Sequence, residues 1–582
     1  MTSDERSANR EADRLLLSTA DQAGGWIWGL AGGKVLTALA TLLLPLWLGR
    51  AVDGFASGQS PSGPVGVCAA LIALIVLGEV LGDLADGSSS ARSTAWLRKK
   101  LTGRLLAAGP RAGAEFEAGN LVSRIVGNAA EAGRGGVAAV LALTALLPAV
   151  GSVFALLLID PWLALTFLLG LLAMGVLLRA FLRDNSETIH HYQRSQGEIA
   201  SRLLDALAGA RTIAAAGTTA RETERVLGPL DELRAHGNRM WHNQIRAAGH
   251  AELVLPLVQV LVIAVAGFEL VSGRLTAGEL FATSRYAAMG AGITGAVGLL
   301  NKVARARGGA RRCRDLLAVP PVAHGERDLP PGLGRLEFRS VSVREGDRAV
   351  LDNLDLTVPA GRTLAVVGHS GAGKSTLAAL AGRLRDPDGG RVLLDRTPLT
   401  AVHRDALRAE ISCTFERPVL VGGSVAEALD LGRSLPRPVL EDAAASAAAD
   451  DFVRRLPDGY DNELDTGALS GGEVQRLGLA RSFARPGRLL VMDDATSSLD
   501  TATEMRVSSV LTEHLSGTTA LIVAHRVTTA ARADFVAWLD GGRLRALGTH
   551  AQLWSDPDYR AVFGAERTRG PAEPLSTTGV GS

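Results

Sequence analysis

Cysteine, lysine and net charge are all scarce in this 582-residue chain, and each scarcity excludes something. The three cysteines, Cys68, Cys313 and Cys413, lie far apart and match no metal spacing. They read as unpaired packing residues of a reducing cytoplasm or a membrane. Lysine occurs only at 34, 99, 100, 302 and 374 while arginine and alanine abound, the imprint of a GC-rich bacterial genome. A lysine standing at 374 is the more telling for it. With 61 basic and 60 acidic side chains, the chain has no basic excess of the size a nucleic-acid partner requires. The first twenty-odd residues are charged and carry no cleavage pattern, so no secretory signal peptide is expected.

What the chain does have is length for several domains and apolar residues concentrated before about residue 305, with a mean hydropathy of +0.18. Six apolar segments, near 25–48, 65–83, 137–158, 161–181, 251–271 and 280–303, each supply about 20 residues, enough to cross a bilayer core. Two long polar stretches, 84–136 and 182–250, read as helices continuing out of the bilayer. The first holds Arg92, Arg98, Lys99, Lys100, Arg104, Arg111, Arg124 and Arg134, and the second is similarly rich in arginine. The opposite turns hold only Arg50, nothing at Asp160-Pro161, and Arg274. By the positive-inside rule both long stretches and both termini are cytoplasmic. A soluble bundle with buried helices would not show this charge asymmetry.

Charges also fall inside the spans. Glu79, Asp83 and Asp86 share one face of the second segment. Lys34 lies about 15 Å into the first span by helix rise, and Glu79 reaches a similar depth from the other end. A Lys34–Glu79 pair, a solvated helix face, and a cavity wall selecting cationic substrates all remain open.

Residues 318–335, rich in Pro and Gly, form a linker. A strand at 336–343 follows, and then the buried strand 364–367 runs into Gly368, His369, Ser370, Gly371, Ala372, Gly373, Lys374, Ser375 and Thr376. This is the G-x-x-x-x-G-K-[ST] loop, whose N–H groups and helix N-terminus cradle phosphates. Lys374 is placed to neutralise the β- and γ-phosphates, Ser375 to ligate Mg2+, and Asp493, ending the apolar strand 489–492, to hold the metal directly or through water. The segment Leu469, Ser470, Gly471, Gly472, Glu473 sets two glycines and a hydroxyl before a second helix, another anion receptor.

Phosphate loop, Leu469–Glu473 segment, Asp493-Asp494 and Ala524-His525-Arg526, in this order, resemble the ATP-binding cassette proteins. The membrane half resembles their exporter-type half-transporters: Phe116–Arg124 looks like the first intracellular loop, 273–280 like the turn before the sixth span, and 304–312 like the exit from it. The resemblance implies short coupling helices near 112–128 and 209–222. It also implies that the Ser470–Glu473 signature caps ATP held by another cassette domain, so the working unit is a dimer. Asp500, in Ser497-Ser498-Leu499-Asp500, matches the loop linking the two sites, and His525 the switch histidine at the γ-phosphate.

The departures from the family pattern cluster in this chain's own ATP site. Asp494 stands where the family has the Glu that orients or deprotonates water, and a carboxylate pulled back by about 1 Å can cost on the order of 100-fold in rate. Glu416 replaces the Gln between subdomains; it can still ligate Mg2+ but donates no hydrogen bond. Glu345 replaces the adenine-stacking aromatic, a loss of about 1–3 kcal/mol. The loop 461–468 looks short, and Glu473 replaces the usual signature Gln.

The expectation is therefore an α + α/β protein. It has a cytoplasmic segment 1–24, a six-span all-α membrane domain 25–317, the linker 318–335, a P-loop α/β ATPase domain 336–563 and a disordered tail 564–582. It would sit in the bacterial cytoplasmic membrane and use ATP and Mg2+ to export a small-molecule, lipid or peptide substrate. A second half-transporter is the expected partner, preferably a different chain with the intact site; no nucleic acid is expected. A slowly hydrolysing homodimer, a regulatory subunit that senses nucleotide without transporting, and a soluble cassette protein are the rival readings, the last opposed by the six spans.

Overall fold

The computed structural model describes residues 3–290, 293–464, 469–485, 487–497, 499, 503–507 and 517–564. Two compact units emerge, Met1–Leu106 with Phe116–Val319, and Ala107–Glu115 with Pro320–Ser582.

The first unit is helical. It comprises α1 (Ser3–Gln22), α2 (Gly25–Ala56) and α3 (Ser62–Ala108); beyond α4 (Pro110–Glu115) come α5 (Ala118–Ser123), a π-turn Arg124–Asn128, α6 (Ala129–Gly133) and α7 (Gly135–Ile159). Then follow α8 (Pro161–Ala208), α9 (Ala210–Ala216), α10 (Thr219–Leu227), α11 (Leu230–Val271), α12 (Ala277–Gly290) and α13 (Ile293–Ala318). The turn at Asp160-Pro161 starts α8 because the Asp160 carboxylate accepts the Trp162 N–H at 2.7 Å and Pro161 needs no donor at the first helical position.

Among the described residues three helical runs are long and apolar enough to cross a membrane: Gly25–Ala56, Ser62–Ala108 and Ala118–Ile159. Shorter apolar stretches occupy Pro161–Leu172 and Pro256–Val271. The sixth expected segment is divided between α12 and α13, on either side of residues 291–292, which lie outside the described residues. Leu143, Leu158, Phe268 and Val271 point outward and are exposed, as a surface solvated by lipid would be.

Small residues let the helix backbones meet, the usual contact where hydrocarbon removes any hydrophobic drive. A Cβ on Gly33 of α2 would lie 3.0 Å from the Gly78 carbonyl and 3.2 Å from the Gly82 nitrogen of α3. Gly49 of α2 and Gly278 of α12 touch backbone to backbone in the same way. Beside the first contact Lys34 Nζ lies 2.6 Å from Glu79 and 3.1 Å from Asp83, so the ammonium bridges two carboxylates rather than one.

The second unit begins with Ala107–Glu115, the last residues of α3 and all of α4. Val322 N–H donates to the Ala107 carbonyl at 3.1 Å and Arg111 pairs with Asp386 at 3.2 Å.

Among the described residues ten strands follow: β1 (Leu336–Glu345), β2 (Arg348–Val358), β3 (Thr363–Val367), β4 (Gly389–Leu394), β5 (Thr397–Pro398), β6 (Ile411–Phe415), β7 (Leu489–Asp493), β8 (Thr519–Val523), β9 (Phe535–Asp540) and β10 (Arg543–Gly548). An antiparallel sheet β2-β1-β4-β5 faces a mainly parallel sheet β10-β9-β3-β8-β7-β6. Between them Phe338, Leu354, Leu364, Leu377, Val491 and Leu521 form one buried core. The continuous apolar runs of β3, β7 and β8 are what a parallel strand buried on both faces requires. Helices α14 (Lys374–Ala381), α15 (Arg404–Glu410), α16 (Val425–Asp430), α17 (Arg437–Ser446), α18 (Asp450–Val453) and α19 (Gly471–Phe483) complete the part that concerns the site.

Candidate functional site

Four neighbouring parallel strands, in the order β3-β8-β7-β6, end at the same edge of the large sheet. Each is followed by an expected site residue: β3 by Gly368, β8 by Ala524 and His525, β7 by Asp494 after its terminal Asp493, and β6 by Glu416. Ligands of open α/β sheets bind beyond such carboxyl ends. Residues more than 150 positions apart in sequence thus meet because strand order places them there.

The phosphate loop leaves β3 through glycines that other residues could not replace. Gly368 has φ +154°, Gly371 +83° and Gly373 +95°, and a Cβ on Gly373 would lie 2.9 Å from the Val350 carbonyl. Ala372 is buried beneath the turn, and His369 and Ser370 are exposed at its rim. Lys374 Nζ donates to the carbonyls of Gly368 at 2.8 Å and His369 at 3.1 Å, which folds its ammonium across the loop. Ser375 donates to Asp493 Oδ1 at 3.0 Å, while Thr376 follows in the first turn of α14. Two hard oxygen donors side by side, next to a loop that would hold phosphates, suit Mg2+, which keeps several waters and few protein ligands. Burial pushes the Asp493 carboxyl above its ordinary range and the nearby Glu416 adds to this, against the Ser375 hydrogen bond.

Asp494 adopts a left-handed backbone, φ +51°, and its Oδ2 lies 4.0 Å from His525 Nε2. The two line a cavity of about 330 Å3 with Thr496, Ser497, Arg526 and Thr529. Glu416 points more outward, its side chain 55% exposed and 3.7 Å from Arg417. Asp500 and residues 465–468 of the loop 461–468 lie outside the described residues.

The Ser470–Glu473 segment forms the start of α19. Ser470 accepts the Glu473 N–H at 3.3 Å, and Glu473 Oε2 accepts both the Ser470 N–H and its hydroxyl at 2.8 Å. This is a capping box, and the backbone hydrogen bond from Ser470 holds the Glu473 carboxyl below the usual range. Gly471 is exposed and Gly472 half-buried, and a Cβ on Gly471 would meet nothing within 4 Å.

One site residue escaped the sequence reading. Gln475, only 1% exposed, donates its amide to the carbonyls of Glu416 at 3.2 Å and Asp494 at 3.4 Å and to Ser497 Oγ at 3.3 Å. It ties the signature helix to the two departing acids. The signal was a polar residue between Val474 and Leu477 in a helix that must be buried.

Comparison with known proteins bears on all of this. The family described as "ABC transporter" matches residues 351–497, and "ABC transporter transmembrane region" matches 30–291. The chain is 47% identical over 538 residues to the ABC transporter ATP-binding protein RamA of Streptomyces coelicolor, covering 91% of this chain and 84% of that protein. It is 31% identical over 391 residues to the ATP-dependent lipid A-core flippase of Alkalilimnicola ehrlichii, covering 65% of this chain and 66% of the flippase. A solved structure of a bacterial Atm1-family ABC exporter with ATP bound superposes with a TM-score of 0.75 at 26% identity, covering 94% of this chain and 99% of that one. With both halves matched and the phosphate loop, Asp493 and His525 gathered at one sheet edge, the chain belongs to the ABC transporter family as an exporter-type half-transporter that couples ATP hydrolysis to transport.

Proposed function

We propose that this chain is the subunit of a heterodimeric exporter whose own ATP site binds nucleotide but hydrolyses it poorly. The observation that carries this reading is Asp494: a shortened carboxylate on a left-handed backbone, at the position that must orient water, in a chain whose signature Gly471 is unobstructed. A second half-transporter then supplies the hydrolysing phosphate loop, over which Ser470, Gly471, Gly472 and Glu473 close, with Asp500 linking the sites. In this chain's own site the loop 368–376 holds ATP. Ser375 and Asp493, with Glu416 nearby, hold Mg2+, which supplies charge neutralisation at the phosphates. His525 contacts the γ-phosphate.

Six spans, divided as 25–317 and followed by the linker 318–335 and the ATPase domain 336–563, place that domain and both termini on the cytoplasmic side of a bacterial membrane. ATP-driven closure turns the membrane cavity outward, and hydrolysis resets it. The exported substrate is a small or amphipathic molecule, lipid or peptide. Purified alone, the chain is expected to bind ATP with little turnover; with the partner half-transporter, turnover appears. Ordinary cassette turnover by the isolated chain would instead support the homodimer.

A further inference from the structure

The β1–β2 hairpin runs along the phosphate loop, and its tip lacks the aromatic residue expected to grip the nucleotide. Glu345, at that position, is turned aside: its carboxylate lies 3.0 Å from Arg385 Nη1. Three residues on, at the first residue of β2, Arg348 is exposed and reaches the other way. A Cβ on Gly371 of the phosphate loop would lie 3.7 Å from Arg348 Nη2. The same strand touches the loop again through Val350 and Leu351 at Gly373, so the reach of Arg348 follows from the backbone path. Among the described residues its side chain makes no ion pair or hydrogen bond, whereas Arg344, Arg385 and Arg391's neighbour Arg339 around the same hairpin are engaged. A guanidinium with five donors and no protein acceptor, beside a loop shaped for phosphates, suits an anionic ligand there.

We infer that Arg348 is a nucleotide-binding residue of this chain's own ATP site, its guanidinium contacting the polyphosphate and compensating for the missing ring. The inference rests on the phosphate loop holding ATP, and it names a contact outside that loop. One charged arm replaces base stacking, so binding at this site depends on the phosphates more than on the base.

Direct binding to the purified full-length chain tests this without a partner, using ATP, GTP and inorganic tripolyphosphate as ligands in the presence of Mg2+. Arg348→Ala should weaken all three by about tenfold at low salt, the worth of one charge-assisted hydrogen bond. The deficit should shrink as salt rises, and Arg348→Lys should recover part of it. Glu345→Tyr should strengthen ATP and GTP but not tripolyphosphate, and should reduce the harm of Arg348→Ala for the nucleotides. Unchanged affinity in Arg348→Ala, or a loss confined to ATP and GTP, would overturn the polyphosphate contact. Lys374→Ala serves as the control: if it leaves ATP binding intact, the phosphate loop is not the ATP site and the reading beneath the inference fails instead.

Discussion

The Lys34 cluster gives the sharpest test of how the membrane unit is held together. At 2.6 Å from Glu79 and an effective dielectric of about 20, the Coulomb attraction is roughly 6 kcal/mol before any cost. Most of that is offset. The Lys34 side chain is 17% exposed but Glu79 and Asp83 are 48% and 75% exposed, so screening and side-chain entropy leave about 1–3 kcal/mol net. Lys34→Met should therefore lower the midpoint of thermal unfolding in detergent by several degrees, at about 2–4 °C per kcal/mol. The second carboxylate changes what a charge swap does. Lys34→Glu with Glu79→Lys rebuilds one ion pair but sets a new carboxylate against Asp83, where the lysine was 3.1 Å away. The swap should recover only part of the loss, and adding Asp83→Asn should recover most of the rest. Thermal scans of the single, double and triple variants decide it. Wild-type stability in Lys34→Met, or full recovery by the swap alone, would refute the three-membered cluster.

Four other outcomes follow from the ATP site. Asp494→Glu should raise hydrolysis at this chain's own site, measured as ATPase of the chain alone; no increase would show that Glu416 and Glu345 also limit it. In the assembled transporter, Lys374→Ala should leave considerable turnover while Gly471→Asp abolishes it. A Cβ at 471 meets nothing, so the effect of that carboxylate is electrostatic rather than a folding defect. Gln475→Ala removes the buried amide that donates to the Glu416 and Asp494 carbonyls, of which Asp494 keeps its Ser497 donor, and it should cost about 1–2 kcal/mol in thermal or denaturant unfolding along with activity. Asp493 titrates above the usual carboxylate range, so Mg2+-dependent ATP binding should fade on acidification sooner than at an exposed Asp, and Glu416→Gln should move that loss to lower pH. The sign for stability is opposite: a raised folded-state pKa favours the protonated form, a contribution present at low pH and lost as pH rises through that pKa. Asp493→Asn should then stabilise the ligand-free chain at neutral pH while removing Mg2+ binding.

What was legible in the sequence was whatever local chemistry forces. The phosphate loop could be read because only glycine tolerates the backbone at 368, 371 and 373, and the signature because two glycines and the Ser470 hydroxyl precede a helix in a pattern that resembles the family's. The described residues of the six apolar segments are helical, which satisfies every backbone group within the segment itself, and among the described residues three runs reach crossing length and apolarity. The Lys34–Glu79 contact could be anticipated from helix rise alone, but its third member could not. Asp83 joins because Gly33, Gly78 and Gly82 bring α2 and α3 together, and a Cβ at Gly82 would lie only 2.9 Å from Lys34 Cε. The Gly78-x-x-x-Gly82 spacing carried that signal and went unread. Gln475 and Arg348 were missed for a different reason. Neither belongs to a motif, and their importance comes from strand order in one case and hairpin direction in the other. Placing β6 beside β7 turns Gln475 into a brace between Glu416 and Asp494, and a sheet order is the property that spacing along a single chain encodes least.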